Sequence, residues 1–225
     1  MDVGRSTLWF VGAWLVGSVA GGIALALLDD GDTATDATIG ALAASLVALW
    51  TVEVVACVLA SRRDGTGDLG VDLGLRATPI DLVGIPIGVA AQFLLVPAVY
   101  LPLRAIWSDT FSTDRLEENA RDLVDRADGS LLALLVLLVV IGAPFVEELL
   151  YRGLLQRPAL DHFPRWPVVI GVAAVFALIH FRPVEYPGLF AAGLVFGVCA
   201  ARTGRLGMAV AAHVGFNVAG LALVV

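Results

Sequence analysis

The chain has 225 residues, of which 59% are hydrophobic and 16% charged, and its mean hydropathy is +0.88. This composition is far more apolar than that of a soluble domain, so it indicates a protein of the lipid bilayer. The net charge is −7, and the 14 basic residues, all arginine, form no stripe that could follow a phosphate backbone, which argues against a nucleic-acid partner.

Apolar runs long enough to cross about 30 Å of hydrocarbon recur along the chain. The first three are predicted over 8–28, 39–60 and 82–103, separated by an acidic turn at 29–36 and a polar connector at 61–78. We expect kinks in the third run, because proline interrupts helical hydrogen bonding. The prolines concerned are Pro86, Pro97 and Pro102.

The segment 108–129 is charged, but its apolar residues recur at helical spacing. With Asp114 as N-cap and Glu117 as N3, it predicts a short amphipathic helix on the membrane surface. Four further spans are predicted over 130–155, 167–181, 188–201 and 208–225. The expected fold is therefore an all-α, polytopic membrane helix bundle with about seven transmembrane helices and one surface helix.

Three parts of the chain are expected: transmembrane helices 1 to 3 at 1–107, the surface segment at 108–129, and a core of helices 4 to 7 at 130–225. Arginine-rich loops stay on the cytoplasmic side of a membrane. If the N-terminus is cytoplasmic, most arginines lie at or near that face, whereas the acidic turn and the surface helix lie outside. The sequence thus predicts a multi-pass protein of the plasma membrane with a cytoplasmic N-terminus.

Small residues and cysteines in the apolar runs are interpreted as packing residues. Both cysteines, Cys57 and Cys199, are expected to be small buried side chains and not a disulfide or metal pair. Three pairs of glycines at i, i+4 would let helices approach closely. They are Gly17 with Gly21, Gly84 with Gly88, and Gly193 with Gly197.

Ionisable residues inside a bilayer cost at least ~2.5 kcal/mol each, so a cluster of them needs a reason. The fourth run contains adjacent glutamates, Glu147 and Glu148, which point about 100° apart on a helix. Glu148 shares a face with Arg152 at i+4, and the two charges can neutralise each other. Glu147 is then the carboxylate left free.

Two later runs carry histidines. His180 lies near the end of the fifth run, and His213 shares one helical face with Asn217 in the seventh. At a rise of about 1.5 Å per residue, these side chains reach depths in the membrane compatible with that of Glu147. Either histidine alone would be interpreted as a packing residue, but their convergence with a free carboxylate favours a functional site.

Other polar residues are not expected to converge with a second ionisable side chain. Glu53 and Asp81 are assigned to helix packing or to the membrane interface, with a helper role at the site as an option for Glu53. His162 is expected in an exposed loop. Tyr151 either reaches toward the site or lines its helix.

The three segments resemble, in order, the signature of the CPBP family, the CaaX-protease and bacteriocin-processing intramembrane proteases also called Abi proteins. That signature is Glu-Glu-xxx-Arg, then Phe-xxx-His, then His-xxx-Asn. The resemblance covers the chain from about residue 130 to its end. The matching residues are Glu147, Glu148 and Arg152, then Phe176 and His180, then His213 and Asn217.

The resemblance implies an endopeptidase that cleaves a membrane-associated peptide or protein; in prenyl-processing members the bond follows a lipidated C-terminal cysteine. It implies that Glu147 activates water with help from His180. His213 and Asn217 would stabilise the oxyanion, and the Glu-Arg pair would support the architecture. The implied site residues are Glu147, Glu148, Arg152, His180, His213 and Asn217.

A metal remains an open alternative. Some family names include "metalloprotease", and Glu147, His180 and His213 could hold Zn together with a water. Metal-free water activation is favoured, because Asn217 is a poor zinc ligand and suits an oxyanion donor better. No cofactor is therefore certain from the sequence, and zinc is kept as an option.

Two further functions compete with a protease. A non-catalytic membrane scaffold or bacteriocin-immunity-type protein of the same fold would keep the polar cluster for structural reasons. A transporter or proton channel could also use intramembrane Glu and His, but the sequence shows no inverted repeat of two halves.

Overall fold

The structure is a computed structural model that describes residues 1–28 and 37–224; the acidic turn predicted at 29–36 lies outside the described residues. The described part contains helices and no strand, so the all-α prediction is confirmed. We number the main helices in chain order: α1 Val3–Leu28, α2 Ile39–Asp64, α3 Pro79–Ile106, α4 Thr113–Asp125, α5 Gly129–Leu160, α6 Arg165–Ile179, α7 Tyr186–Thr203 and α8 Gly207–Leu221.

Five of these helices, α1, α2, α3, α5 and α7, are long and apolar enough to cross a bilayer. Helices α6 and α8 are apolar but have 15 residues each. Their length is therefore about 22 Å, less than the hydrocarbon thickness of about 30 Å. The protein is a multi-pass membrane protein, and the number of seven spans stays a prediction, as do the limits of the three predicted parts.

Helix α3 is not a regular α-helix along its whole length, and the kinks expected at its prolines stay a prediction. The helix begins as the 3₁₀ turn Pro79–Val83 and contains the π turn Ala91–Leu95. The π turn ends two residues before Pro97, which has no N–H to continue the helical ladder.

The three glycine pairs lie where helices approach each other. A Cβ at Gly17 would lie 3.2 Å from the carbonyl oxygen of Leu49 on α2. A Cβ at Gly88 of α3 would overlap the backbone of Ala212 on α8. A Cβ at Gly193 of α7 would lie 3.2 Å from α6. At Gly88 a side chain would therefore clash with the neighbouring backbone, whereas at Gly17 and Gly193 the neighbour would have to shift by a few tenths of an ångström. These close approaches agree with the interpretation of the pairs as packing residues.

One end of the bundle gathers arginines, and we call it the arginine end. There Arg5 forms an ion pair with Asp64, at the end of α2. Arg205 donates two hydrogen bonds of 2.8 Å to the buried carboxylate of Asp81. Arg157 donates to the carbonyl of Gly204 at 2.6 Å. These contacts bring together the loops that the sequence placed on one side of the membrane.

The opposite end, which we call the α4 end, carries the surface helix. The hydroxyl of Tyr100 in α3 donates to the carbonyl of Val184 at 2.8 Å, just before α7. Arg126, after α4, donates to the carbonyl of Ala37, just before α2. Hydrogen bonds at this end thus connect α3 to the segment before α7, and the segment after α4 to the one before α2.

The predicted N-cap of α4 was wrong. Ser112 caps the helix, because its hydroxyl accepts a hydrogen bond of 3.3 Å from the N–H of Arg115. The helix begins earlier than predicted, and Asp114 lies inside its first turn. There the negative charge of its carboxylate interacts favourably with the helix dipole. Glu117 instead pairs with Arg121 at 2.5 Å.

Candidate active site

A buried ion pair joins helix α5 to its neighbours. Glu148 Oε1 accepts a hydrogen bond of 3.1 Å from Arg152 Nη1, and both side chains are fully buried. Arg152 Nη2 donates to the carbonyl of Gly193 on α7 at 3.0 Å. The guanidinium also lies 4.7 Å from the ring centre of Phe176 on α6. One arginine therefore connects three helices.

Three atoms of this pair and of the next helical turn are buried without a hydrogen-bond partner in the described part of the chain: Glu148 Oε2, Arg152 Nε and Gln156 Oε1. Arg152 and Gln156 also line a cavity of about 190 Å³ at the arginine end. A cavity of this size with polar groups in its lining is large enough for several waters, which are the partners such buried groups usually have.

The polar residues of α5 lie on an unusual stretch of helix. Glu148–Gln156 is π-helical, and the N–H of Arg157 still donates to the carbonyl of Arg152, five residues earlier. The next residue, Pro158, has no N–H and cannot extend the ladder. Such π segments are rare and occur mostly at functional sites.

His213 of α8 lies between the two glutamates. Its Nδ1 is 2.9 Å from Glu148 Oε1 and its Nε2 is 3.8 Å from Glu147 Oε2. An ionised carboxylate can only accept, so Nδ1 carries the hydrogen. The ring stacks on Phe196 of α7 with a centre-to-centre distance of 4.4 Å. The imidazole is therefore positioned by two contacts: Phe196 packs against one face of the ring, and Glu148 binds its Nδ1.

The two glutamates differ in exposure. The side chain of Glu147 is 22% exposed, whereas that of Glu148 is completely buried. Glu147 is thus the carboxylate that water or a substrate can reach. Glu53 of α2 is 5% exposed, and α2 packs against the part of α5 that ends at Glu147. The N-terminal part of the chain therefore adds a third acidic side chain beside the site.

His180 joins the cluster through an aromatic ring. Its Nδ1 donates a hydrogen bond of 2.7 Å to the carbonyl of Phe176, which leaves Nε2 as an acceptor in the neutral ring. The ring of Phe176 contacts both His180 and His213, at centre-to-centre distances of 4.9 and 5.9 Å. Within the described residues His180 forms neither a hydrogen bond nor an ion pair with Glu147.

Asn217 lies one helical turn after His213 and satisfies a carbonyl that α5 leaves unpaired. After the π turn Leu138–Gly142, the N–H of Ala143 donates to the carbonyl of Leu138. The next residue, Pro144, has no N–H and therefore cannot donate to the carbonyl of Val139. Asn217 Nδ2 donates to that Val139 carbonyl at 2.8 Å. Sequence reasoning missed this contact, although Pro144 was the available signal.

The residues considered for a metal do not come together as ligands. Within the described part of the chain, no group of three His, Cys, Asp or Glu side chains could hold a metal ion. His180 stands apart from Glu147, and one nitrogen of His213 is occupied by Glu148. The donor set therefore does not fit a tetrahedral zinc site, which needs at least three converging protein ligands.

Other predicted residues are placed as follows. His162 is exposed in the loop after α5, as predicted. Cys57 and Cys199 are buried and free. Tyr151 is buried and packs edge-on against Phe176 at 5.2 Å, so it lies beside the cluster.

Comparison with known proteins identifies the same part of the chain. Residues 129–219 match the family model of the type II CAAX prenyl endopeptidases, described as Rce1-like. No curated protein and no solved structure matches the chain. The matched segment runs from the start of α5 into α8 and includes all six residues of the cluster. This segment of the chain is therefore similar to the CAAX-type membrane proteases of the CPBP family.

Proposed function

We propose that the protein is an intramembrane endopeptidase in which Glu147 activates a water for attack on a peptide bond of a membrane-associated substrate. The observation that carries the proposal is the pair of contacts made by His213. Its Nδ1 is hydrogen-bonded to Glu148, and its Nε2 faces Glu147, whose side chain is partly exposed. A base, a fixed imidazole and an accessible position for water are thereby adjacent.

In the proposed reaction Glu147 accepts a proton from water, and the water oxygen attacks the carbonyl carbon. In this proposal His213 carries a proton on both ring nitrogens before and after the step, and it donates from Nδ1 to Glu148 and from Nε2 to the developing oxyanion. Asn217 has a second amide N–H besides the one bonded to Val139, and it donates to the same oxygen. The C–N bond then breaks, and Glu147 returns its proton to the leaving amine.

His180 has a supporting role in this proposal. Its Nδ1 bond to the Phe176 carbonyl fixes the ring, so that Nε2 can accept a hydrogen bond from the attacking water. Glu148 and Arg152 hold α5 in register with α7 and orient His213. No step of the mechanism uses a metal.

The orientation in the membrane is part of the proposal. We infer that the arginine end faces the cytoplasm of a cell whose plasma membrane holds the protein, because basic loops are retained on that side. The α4 end then faces outward. The N-terminus, close to Arg5 and its partner Asp64, is cytoplasmic.

Cleavage of lipidated and plain membrane peptides by purified protein in detergent tests the function. Glu147→Gln keeps the size of the side chain but removes the base, so we expect activity to fall by about 10²-fold or more. Glu118→Gln on the exposed side of α4 is the matched control and should keep wild-type activity. A chelator should leave cleavage unchanged. Equal cleavage by the Glu147→Gln variant, or a Glu147-independent biological effect, would instead favour a non-catalytic scaffold.

A further inference from the structure

A second, larger cavity lies at the α4 end of the bundle. Its volume is about 560 Å³, and its walls come from α3, α4, α5, α7 and α8. We call it the α4 cavity. Asn217 and Val139 are among its lining residues, as are Arg104 and Glu117. The cavity therefore borders the candidate active site at Asn217.

The walls of the α4 cavity are mainly apolar. Helix α4 contributes Leu116, Leu123 and Val124, which lie on its apolar face. The volume is within the usual range of ligand sites, about 300–1,000 Å³. Helices α3 and α4 lie outside the segment 129–219 that matches the family. More than half of the residues that line this cavity thus belong to parts of the chain that the family match does not include.

Gln92 of α3 offers a polar side chain to the cavity. It lines the cavity near Gly220, and its amide forms no hydrogen bond with any residue that the structure describes. Two charged side chains of the lining have neighbours as partners: Arg104 Nε donates to the carbonyl of Phe111, and Glu185 pairs with Arg182 at 2.8 Å. The Gln92 amide is therefore available to a ligand.

An amide both donates and accepts hydrogen bonds, as a peptide group does. A hydrocarbon chain in the cavity would bury the Gln92 amide without a partner, which is unfavourable. An apolar peptide satisfies both requirements, because its side chains match the walls and its backbone matches the amide. The chemistry of the cavity thus favours a peptide over a lipid chain.

We propose that the α4 cavity binds the apolar peptide segment next to the scissile bond, with Gln92 hydrogen-bonded to its backbone. The substrate reaches the active site from the α4 end, opposite the arginine end. This inference rests on the proposed function, because Asn217 in the wall of the cavity is its link to catalysis.

Binding of a fluorescent apolar peptide to the full-length Glu147→Gln protein in detergent tests the cavity separately from catalysis. Ala120→Trp on the cavity side of α4 should weaken binding by at least about tenfold, because the indole occupies the cavity. Glu118→Trp, two residues earlier on the exposed side, is the matched control and should bind like the parent protein. Gln92→Leu preserves size and should weaken binding by about fivefold or more.

Unchanged peptide binding in both the Ala120→Trp and Gln92→Leu variants would overturn the proposal. Competition by a long-chain alcohol as effective as that by unlabelled peptide, together with no effect of Gln92→Leu, would assign the cavity to a lipid chain and also overturn it. If the peptide binds as expected but wild-type protein cleaves nothing, the cavity assignment stands and the proposed function fails.

Discussion

His213 Nδ1 and Glu148 Oε1 lie 2.9 Å apart although the two residues are 65 positions apart in the sequence. The same carboxylate oxygen accepts the hydrogen bond from Arg152. Glu148 therefore links the buried arginine to the imidazole that faces Glu147. Two adjacent glutamates thus have separate environments, one buried and paired, the other accessible.

The Glu148→Gln variant should be markedly less stable, because it leaves the guanidinium of Arg152 buried without its counter-charge. Breaking a buried pair in this way costs about 3–5 kcal/mol. The double variant Glu148→Gln with Arg152→Met removes both charges and should recover part of that loss. Unfolding followed in detergent measures both values. A single variant as stable as wild type would contradict the structural role of the pair.

The Asn217→Ala variant should lower kcat by about 10²–10³-fold with a small change in KM, because an oxyanion donor acts only in the transition state. It should also lower stability by about 0.5–1.5 kcal/mol, because the Val139 carbonyl loses its hydrogen bond. Steady-state cleavage and thermal unfolding measure the two effects. Val218→Ala, at an exposed neighbouring position, is the control. Loss of stability without loss of kcat would assign Asn217 to structure alone.

The Gly88→Ala variant should destabilise the bundle, because the added methyl group would overlap the backbone of Ala212. Overpacking of this kind costs about 1–3 kcal/mol. Activity should fall as well, since α8 carries His213 and Asn217. Gly22→Ala, where a Cβ meets open space, is the matched control and should be neutral or slightly stabilising. Equal melting temperatures of the two variants would show that α3 and α8 pack less closely.

Asp72, in the connector at the arginine end, should make stability depend on pH. Burial raises the pKa of its carboxyl, but the hydrogen bonds from Ser61, Thr66 and Gly67 together lower the pKa by more than burial raises it. The pKa is therefore below its usual value. The ionised Asp72 carboxylate stabilises the folded state fully above the unfolded-state pKa of about 3.9. This stabilisation is lost as the pH falls through the lower pKa of the folded state.

The Asp72→Asn variant should therefore melt at a lower temperature than wild type at pH 7, and the difference should shrink below about pH 4. Thermal unfolding of both proteins between neutral and acidic pH measures this. Asp161→Asn, at an exposed position, is the control. A difference that is the same at both pH values would exclude the carboxylate as the cause.

The positions of the helices could be predicted from the sequence, because long apolar runs and proline interruptions are local signals. The pairing of Glu148 with Arg152 on one helical face could be inferred in the same way. The N-cap of α4 could not be identified with certainty, since Ser112 and Asp114 are both suitable caps and only the observed helix start separates them.

The contacts between helices could not be predicted, because nothing local specifies which helices are neighbours. The bond from His213 to Glu148 and that from Asn217 to Val139 both depend on how α8 packs against α5. The proximity of Glu53 to Glu147 depends on α2 in the same way. The family signature pointed to the candidate residues of the site, but their partners required the structure.

The π turn Leu138–Gly142 contains one residue more than an α-helical turn would hold. Deleting a residue there would restore regular spacing and rotate one half of α5 by about 100° relative to the other. The first half packs Leu135 in a cluster with Ile39, and the second half holds Glu148 against His213. Only one of these contacts would survive the deletion. Substitutions in this turn should therefore be tolerated far better than any change in its length.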